Sequence, residues 1–374
     1  MTAIVTDVHY RMSLALIRDL ADRGVSVVAC EYEDVKNPAG FFSRAAGSCR
    51  TICRDGSGES LLALCRDIYE RDGEKPALFP VGAATLSAVS RRKADFCRIC
   101  GLLAPDFDTL ELFNDKARVG VLARSLDIPV PQTYSVGESF EFPVVVKPVC
   151  GEKAGLSAPQ RYVIAGNRDE LLTAYEHFEK ITGTVPVIQE YLSGGGAGCS
   201  VLAKNGMVLA HICHRRVREY PVSGGPSSCC EKIDAPRLLD AAKKLVEAQR
   251  FSGVAMFEFK ADGNGQYRLL EINPRVWGTY PLTRVCGSNF GYMWYCFAAG
   301  IPLPQFNQGK KVKMAYYPSD FAAMLGYLKR GNIGAFFGGL ADALNPCVKN
   351  GIGERGDGRP YRVYLKSLLE RGGK

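Results

Sequence analysis

The sequence has no long apolar run, no low-complexity tract and no block of charge of one sign. No stretch of its 374 residues approaches the ~18 apolar residues of a membrane-spanning helix, so we expect no membrane partner. The 40 glycines and 20 prolines are too few for a collagen-like or disordered chain. The segment from Met1 to Asp7 lacks the basic start and apolar stretch of a signal peptide, which predicts a cytoplasmic protein.

A long basic segment is also missing. The net charge of +8 is spread over the chain, and its densest points are Arg91-Arg92-Lys93, His214-Arg215-Arg216 and Lys310-Lys311. None of them resembles a nucleic-acid-binding tail, so we expect no nucleic-acid partner. The excess of lysine and arginine suits a small anionic ligand in a cleft instead.

Cysteine is plentiful, but its spacing does not indicate a metal site. Cys97 and Cys100 have zinc-ligand spacing, yet no second pair follows, and Cys229 and Cys230 are too close together for a four-ligand arrangement. Reduced, buried thiols are the default for the 14 cysteines in a cytosolic chain. A zinc site is therefore the weaker alternative to reduced, buried thiols. A cysteine nucleophile is not supported either, because no His or Asn partner stands out.

The first 105 residues are predicted to form an open α/β domain. A short β-rich start, an amphipathic helix over 11–23 and a buried strand over 25–30 make a β-α-β unit, which is typical of a parallel sheet. Asp7-Val8-His9-Tyr10 stands where a dinucleotide-binding protein has its G-x-G-x-x-G loop. The sequence thus predicts a Rossmann-like sheet without a dinucleotide site.

The pattern of predicted elements changes after residue 105. Before that point, within the first domain, we expect a helix over 85–97. After it we expect strands over 142–148 and 185–189, helices over 115–125, 169–181 and 238–249, a flexible glycine loop over 194–198 and two further helices near 319–328 and 333–344. A strong turn signal, Asp262-Gly263-Asn264-Gly265, lies between two apolar strands and predicts a β-hairpin.

This hairpin carries the most informative polar residues. With the turn at 262–265, Glu258 is expected opposite Leu269, and Glu271 and Asn273 share its face because strand side chains alternate. Two carboxylates among apolar neighbours repel each other unless something neutralises them. Mg²⁺ or Mn²⁺ does so with Glu and Asn oxygens. An ordinary hairpin whose glutamates face water is the alternative.

Two lysines and a glycine-bearing segment strengthen the case for an anion site. Lys147 ends the apolar run Val144-Val145-Val146, and Lys116 follows Asn114-Asp115 at a helix start. The segment between Gly151 and Gly155 offers backbone amides that can cover phosphates. Taken singly, each lysine is also compatible with an exposed surface position.

In this order the motifs resemble the ATP-grasp superfamily, and more narrowly its carboxylate–amine ligase-like branch, which is related to carbamoyl-phosphate synthase domains. The motifs are Asn114-Asp115-Lys116, Val144-Val145-Val146-Lys147-Pro148, Gln189-Glu190-Tyr191-Leu192, His214 to Pro221, Ser223-Gly224-Gly225-Pro226-Ser227 and Glu271-Ile272-Asn273-Pro274-Arg275. The resemblance implies a Rossmann-like pre-ATP-grasp domain (1–105), two ATP-grasp subdomains (106–190 and 191–300) and a C-terminal helical extension (301–374). The expected fold class is thus α/β and α+β.

The resemblance also implies roles for individual residues. ATP would be held by Lys116, Lys147, Gly151, Gly155, Gln189, Glu190, Tyr191 and Leu192, with adenine at the backbone of Glu190 and Leu192. Magnesium would be held by Glu258, Glu271 and Asn273, and the catalytic arginines would be Arg275, Arg216 and Arg218. On a regular strand Arg216 and Arg218 share one face, and Arg215 lies on the other. Relatives commonly place a ribose-binding glutamate where this chain has Gly195.

The implied reaction joins a carboxylate and an amine through an acyl phosphate, with release of ADP and phosphate. The expected partners are small carboxylates and amines, amino acids among them. A homodimer is compatible with the resemblance. Loops over 151–157 and 194–198 are expected to close over the site. The alternatives are another ATP-grasp outcome (carboxylation or phosphorylation) and a non-catalytic nucleotide-binding protein.

Overall fold

The computed structural model describes residues 1–149, 155–156, 160–222 and 224–372. Three sheets succeed one another along the chain. The first consists of parallel strands in the order β3-β2-β1-β4-β5. Its strands are β1 (Ala3–Val5), β2 (Val27–Tyr32), β3 (Ser48–Ile52), β4 (Ala77–Phe79) and β5 (Gly101–Leu102). The predicted β-α-β opening is present, because helix α1 (Arg11–Ala21) connects β1 to β2 and buries Leu16 and Leu20.

The remaining helices of this part of the chain surround the first sheet or lead away from it. They are α2 (Glu59–Asp72), α3 (Ala83–Arg91), α4 (Lys93–Ile99), α5 (Phe107–Asn114) and α6 (Lys116–Ser125). The single helix predicted over 85–97 is thus two helices. They meet at Arg92, whose φ and ψ of −112° and 27° are not helical.

The second sheet is antiparallel, with the strand order β6-β9-β7-β8. Its strands are β6 (Thr133–Tyr134), β7 (Val144–Lys147), β8 (Val163–Ala165) and β9 (Val187–Glu190), and helix α7 (Arg168–Thr182) packs on one face. Val144 and Val146 face the apolar side of α7, formed by residues such as Phe178. Strand alternation therefore turns Val145 and Lys147 towards the opposite face.

The third sheet is the largest, with the strand order β14-β13-β10-β11-β12-β15-β16. Its strands are β10 (Gly196–Lys204), β11 (Met207–Glu219), β12 (Ser227–Ile233), β13 (Gly253–Ala261), β14 (Tyr267–Asn273), β15 (Lys313–Ala315) and β16 (Lys349–Asn350). The later helices are α8 (Pro236–Ala248), α9 (Pro281–Val285), α10 (Phe290–Ala299), α11 (Ser319–Lys329), α12 (Ile333–Leu344) and α13 (Arg359–Gly372). Every described strand pair of this sheet is antiparallel except β15–β16.

The two faces of the third sheet have different neighbours. Val201 and Phe257 pack against Leu245 of α8. Leu202 and Met256, on the opposite face, belong to the same apolar cluster as residues of the N-terminal domain and as Trp277. The N-terminal domain therefore packs directly on the third sheet. Burial of this shared cluster holds the two units together.

The segment after residue 300 is more than the predicted helical extension. Besides α11, α12 and α13 it contributes β15 and β16, which extend the third sheet. Within the described ranges, the helices are too short or too polar to cross a membrane. The same ranges contain no cluster of three or more His, Cys, Asp or Glu side chains that could hold a metal, so zinc at Cys97 and Cys100 gains no support.

Two of the four glycines over 194–198, predicted to form a flexible loop, instead belong to strand β10, namely Gly196 and Gly198. Neighbouring side chains leave no room for a Cβ at these two positions. A Cβ on Gly198 would lie 2.5 Å from the ring of His214, and one on Gly196 would lie 2.8 Å from the Arg216 side chain. Glycine at these two positions lets long side chains of β11 cross over the neighbouring strand.

Candidate active site

A cavity of about 340 Å³ lies where the second sheet, the third sheet and the start of α1 meet. Most of the predicted site residues contribute to its wall. They are Lys116, Lys147, Gln189, Glu190, Tyr191, Leu192, Arg216, Glu258, Glu271, Asn273 and Arg275. The fold thus brings together residues that are up to 159 positions apart in the sequence, from Lys116 to Arg275.

The hairpin places the two predicted carboxylates closer together than expected. Glu258 pairs directly with Glu271, whereas the sequence predicted Leu269 in that position. The reason is a β-bulge: Phe259 pairs with Leu269, so Leu270 is an extra residue on β14. Met256 pairs with Asn273, which puts Glu258, Glu271 and Asn273 on one face, as predicted.

Each carboxylate has a basic partner from a different element. Lys116 Nζ lies 2.9 Å from Glu271 Oε2, and Arg216 forms an ion pair with Glu258. Burial opposes ionisation of Glu271, but Lys116 outweighs it and lowers the pKa of Glu271. Burial raises the pKa of Glu258, and the nearby charge of Glu271 adds to the rise. The surroundings therefore favour the ionised form of Glu271 and disfavour that of Glu258.

The donor set suits a hard divalent cation. Two carboxylates on one face, with Asn273 Nδ2 donating to Glu271 Oε1 at 3.2 Å, supply the oxygen-rich environment that Mg²⁺ prefers. The alternative of glutamates that face water does not fit, because the side chains of Glu258 and Glu271 are only 15% and 29% exposed. The residues present thus fit a magnesium site.

Lys147 ends β7 inside the cavity and is almost fully buried. Burial, followed by the like charge of Lys116, lowers its pKa from 10.5 to about 8. Lys116 itself is the first residue of α6, and the side chain of Asp115 caps that helix by accepting from the N–H groups of Ala117 and Arg118. Two cations are thereby held on one wall of the cavity.

Because the ammonium group of Lys147 is buried, we expect it to lower the free energy of unfolding by an amount that depends on pH. Below pH 8 the lysine is protonated in both the folded and the unfolded chain, so the cost is fully present; it falls as pH rises towards 10.5. Lys147→Met should raise the free energy of unfolding by about 1–3 kcal/mol at pH 7 and by less at pH 10. Denaturant titrations of both proteins at the two pH values measure this difference, and a gain that does not shrink with pH contradicts the prediction.

The segment from Gln189 to Leu192 forms another wall. Gln189 and Leu192 are buried, and the backbone N–H of Glu190 donates to Gln132 O at 2.9 Å. That N–H is therefore not available to a ligand, so only the carbonyl group of Glu190 remains for the backbone contact that the resemblance implies. The Glu190 carboxylate accepts from the N–H of Gln132.

The structure separates the two arginines that the sequence placed on one face. Arg216 pairs with Cys230 and Arg218 with Cys229, so Val217 is an extra residue and the alternation of β11 is broken. Because Cys229 and Cys230 are consecutive, Arg216 and Arg218 lie on opposite faces of the sheet. Arg216 lines the cavity, and the prediction that Arg218 shares its face is wrong.

Arg218 instead lies beneath the C-terminal helices. It donates to both carboxylate oxygens of Asp320 and to Asp342, and all three residues are buried. Arg218 is not among the described residues that line the cavity. Arg215 points away from the cavity, as predicted, and pairs with Glu231 at the surface.

The predicted contacts of Gly151 and Gly155 with ATP receive less support than those of the other predicted site residues. Gly151 lies outside the described residues, as does most of the loop over 151–157. Gly155 is described with φ +70°, but it is not one of the described residues in the cavity wall. A Cβ on Gly195 would have no heavy atom within 4 Å among the described residues, so the position has room for a longer side chain.

Several cavity residues were not singled out from the sequence. They include Arg11, Arg161, Tyr162, Lys260 and Thr279, whereas Ser227 was named only as part of a motif. Tyr162 Oη donates to Gly224 O at 2.7 Å, which links the second sheet's connecting segment to the loop before β12. His214, 2% exposed, faces Thr279, and burial followed by the charge of Arg216 lowers its pKa to about 3. Its imidazole is therefore neutral at physiological pH.

Lysine substitutions at Arg216 and Arg215 compare an arginine of the cavity wall with an arginine at the surface. Arg216 contacts Glu219, Glu258 and the carbonyl group of Gly225 at once, and a lysine cannot reproduce this fork of donors. Arg216→Lys should therefore lower kcat/KM by about tenfold or more, whereas Arg215→Lys should have an effect below about twofold. Steady-state kinetics on both variants measure the ratio, and equal, small effects contradict the assignment.

Known proteins resemble this chain in sequence and in fold. Residues 184–316 match the model of the family described as ATP-grasp in the biosynthetic pathway with Ter operon. A pyruvate carboxylase subunit from Methanothermobacter thermautotrophicus is 23% identical over 73% of this chain. The chain spans 59% of that relative's length.

Solved structures share the fold at low sequence identity. The biotin carboxylase from Campylobacter jejuni, in complex with β-γ-ATP, aligns over 81% of this chain and 72% of its own, with a TM-score of 0.63 and 17% identity. The L-amino acid ligase from Bacillus licheniformis aligns over 80% and 73%, with a TM-score of 0.55 and 19% identity. The α/β and α+β architecture, with a Rossmann-like domain preceding the two sheets that enclose the cavity, is theirs as well. Residues 184–316 are thus similar to an ATP-grasp family, and the chain shares the fold of these solved structures.

Proposed function

We propose that this protein is an ATP- and Mg²⁺-dependent ligase that joins a small carboxylate to an amine through an acyl phosphate. The observation that carries the proposal is the Glu258–Glu271 pair beside Asn273, enclosed in one cavity with Lys116 and Lys147. Such a site combines oxygen ligands for a cation with cations for phosphate groups.

The charge balance of the cavity supports an anionic substrate. Among the described residues, its wall contains seven basic ones, namely Arg11, Lys116, Lys147, Arg161, Arg216, Lys260 and Arg275, and four acidic ones, namely Glu190, Glu219, Glu258 and Glu271. Nucleoside triphosphate is the anion that this arrangement suits. The complex of the Campylobacter biotin carboxylase with β-γ-ATP supports the same choice.

The proposed reaction has two steps. A carboxylate oxygen of the acid attacks the γ-phosphorus of ATP, the bond from that phosphorus to the β-γ bridging oxygen breaks, and ADP leaves. The amine nitrogen of the second substrate then attacks the acyl carbon, loses a proton as the C–N bond forms, and inorganic phosphate leaves.

The residues of the chain act by binding and positioning. Lys116 and Lys147 would orient the phosphates, and Arg275, whose Nη1 donates to Val276 O, lies beside Asn273 where charge develops during transfer. When bound to Glu258, Glu271 and Asn273, Mg²⁺ would neutralise phosphate charge. Arg216, fixed by Glu219 and Glu258, would hold anionic oxygens in the same cavity.

Lys147 links the proposal to the pH experiment described above. The ammonium that costs stability in the ligand-free protein gains a partner when phosphate binds, so Lys147→Met is expected to weaken ATP binding while it stabilises the fold. Calorimetric titration with MgADP at pH 7 measures the affinity. Unchanged affinity together with unchanged turnover would contradict the proposed contact between Lys147 and the phosphates.

Carboxylation is the second candidate, favoured by the similarity to a pyruvate carboxylase subunit. In that case bicarbonate takes the place of the organic carboxylate. The two reactions differ in their products: an amide in one, a carboxylated acceptor in the other.

The deciding experiment measures ADP release with pairs of amino acids and small carboxylic acids, and separately with bicarbonate and biotin, followed by mass spectrometry of the products. The proposed ligase forms an amide only when an acid and an amine are both present. ADP release with bicarbonate and no amide product supports carboxylation instead. Absence of substrate-dependent ADP release supports a non-catalytic nucleotide-binding protein. Light scattering of the same preparation tests the predicted homodimer.

A further inference from the structure

One end of the cavity contains an arginine from the N-terminal domain. Arg11 is the first residue of α1 and lines the cavity together with Trp277, Gly278 and Thr279, the segment that follows the hairpin. It lies far outside the part of the chain that matches the family model. The position is set by packing of the N-terminal domain on the third sheet, so Arg11 reaches the cavity only in the assembled fold.

The guanidinium of Arg11 is held firmly but has unused donors. Its Nε donates to Gly278 O at 3.0 Å, and its Cζ lies 3.6 Å from the centre of the Tyr316 ring. Tyr316 Oη donates to the same carbonyl oxygen at 2.9 Å. Within the described part of the chain, neither Nη group of Arg11 has a hydrogen-bond partner and no carboxylate pairs with it. Two parallel N–H groups on a fixed plane are the geometry that binds a carboxylate.

A second polar group of the cavity wall also lacks a partner among the described residues. Ser227, 5% exposed, lines the same cavity, and its buried Oγ makes no hydrogen bond with any described residue. The backbone connects the two positions through Tyr316: Ser228 O, next to Ser227, accepts from the N–H of Tyr316, and Arg11 stacks on the Tyr316 ring. A buried hydroxyl group without a partner is unfavourable, and a hydrogen bond to a ligand oxygen would remove this cost.

The described surroundings leave the positive charge of Arg11 uncompensated. His214 is neutral, and Thr279 and Trp277 carry no charge. A bound anion would therefore be the counter-ion of Arg11 at this end, whereas Lys116 and Arg216 already have carboxylate partners of their own.

We propose that Arg11, assisted by Ser227, binds the carboxylate of a small organic substrate and so determines which substrates the cavity accepts. The inference rests on the proposed ligase function and deepens it, because it names a residue that selects for a free carboxylate. That carboxylate belongs either to the acid that is activated or to an amine substrate that is itself an amino acid. A carboxylate from either source would form the same ion pair with the guanidinium of Arg11.

The test is calorimetric titration of the full chain holding MgADP with three matched sets of probes. These are the twenty proteinogenic amino acids, their N-acetyl derivatives and their carboxamides. We expect some free amino acids to bind about tenfold or more tightly than their carboxamides. Binding of the N-acetyl derivatives as well identifies the activated acid as the source, and binding of the free amino acids alone identifies the amine substrate.

Three variants assign the effect to Arg11. Arg11→Gln should abolish the preference for carboxylate over carboxamide, and Ser227→Ala should weaken carboxylate binding by about fivefold. Arg23→Gln is the control, because Arg23 also stacks near a tyrosine and contacts Ser288 O across the domain boundary without lining this cavity. Arg23→Gln should keep the preference. If Arg11→Gln does not fold, Arg11→Lys and Ser227→Ala carry the test.

The outcomes separate this inference from the proposed function. Arg11-dependent carboxylate binding without ADP release for any pair of substrates keeps the inference and overturns the ligase. ADP release with unchanged carboxylate preference in Arg11→Gln keeps the ligase and overturns the inference. Failure of every carboxylate probe to bind more tightly than its carboxamide also overturns it.

Discussion

Glu271→Gln is expected to abolish Mg²⁺-dependent turnover, with kcat/KM for ATP reduced by about a hundredfold or more. Glutamine keeps the size of the side chain but lacks the charge that a divalent cation needs. In the protein as it stands, Glu271 faces Glu258 across β13 and β14 and holds Lys116 at 2.9 Å. The substitution removes one of two negative charges from the centre of the proposed metal site.

The experiment is a magnesium titration of ADP release at fixed ATP and substrate concentrations. Loss of metal affinity should move the midpoint to higher Mg²⁺, and loss of correct phosphate positioning should lower the plateau. The melting temperature without ligand should change little, because the substitution also lowers the repulsion between Glu271 and Glu258. Near wild-type turnover at limiting Mg²⁺ is incompatible with Glu271 as a ligand.

Glu231→Gln is the matched control for Glu271→Gln. Glu231 is also on a strand of the third sheet, forms an ion pair with Arg215, and has the same 29% side-chain exposure as Glu271. It is not among the described residues of the cavity wall. Turnover and its magnesium dependence should therefore be unchanged in Glu231→Gln. A similar loss in both variants indicates a general electrostatic effect of the sheet.

Arg218→Leu is expected to destabilise the fold by about 3–5 kcal/mol, the usual cost of breaking a buried ion pair from one side. Arg218 is the shared partner of Asp320 and Asp342, and Ser228 Oγ donates to Asp320 as well. Burial opposes ionisation of Asp342, but Lys313 and Arg218 outweigh it and lower its pKa. Without Arg218, Asp320 is left as a completely buried carboxylate with a hydroxyl group for a partner.

Denaturant unfolding and hydrogen exchange together measure this effect. The loss of protection should concentrate in α11 and α12, because Asp320 and Asp342 belong to these helices. The destabilisation should decrease at pH 4, because the lowered pKa of Asp342, to which Arg218 contributes, stabilises the wild-type fold less as the pH falls. Arg215→Leu, which breaks an exposed pair, should cost less than about 1 kcal/mol. Equal effects from Arg215→Leu and Arg218→Leu contradict the buried-cluster assignment.

The amino-acid sequence by itself determined those features that depend on neighbours along the chain. The turn at 262–265 forms with Asp262 accepting from Gly265, as the Asp-Gly and Asn-Gly pairs predict. Alternation along β14 puts Glu271 and Asn273 on one face, and Asp115 caps α6 so that Lys116 begins it. Each of these results follows from local backbone geometry, which the residues within a few positions control.

Only the tertiary structure decided where alternation fails and which distant residues meet. The bulges at Val217 and Leu270 arise from pairing with β12 and β13, and they reverse the face of Arg218 and bring Glu258 opposite Glu271. Arg11 reaches the cavity because the N-terminal domain buries apolar surface against the third sheet. Register between strands and docking between domains are set by packing over long separations, and no pattern within one segment of sequence contains that information.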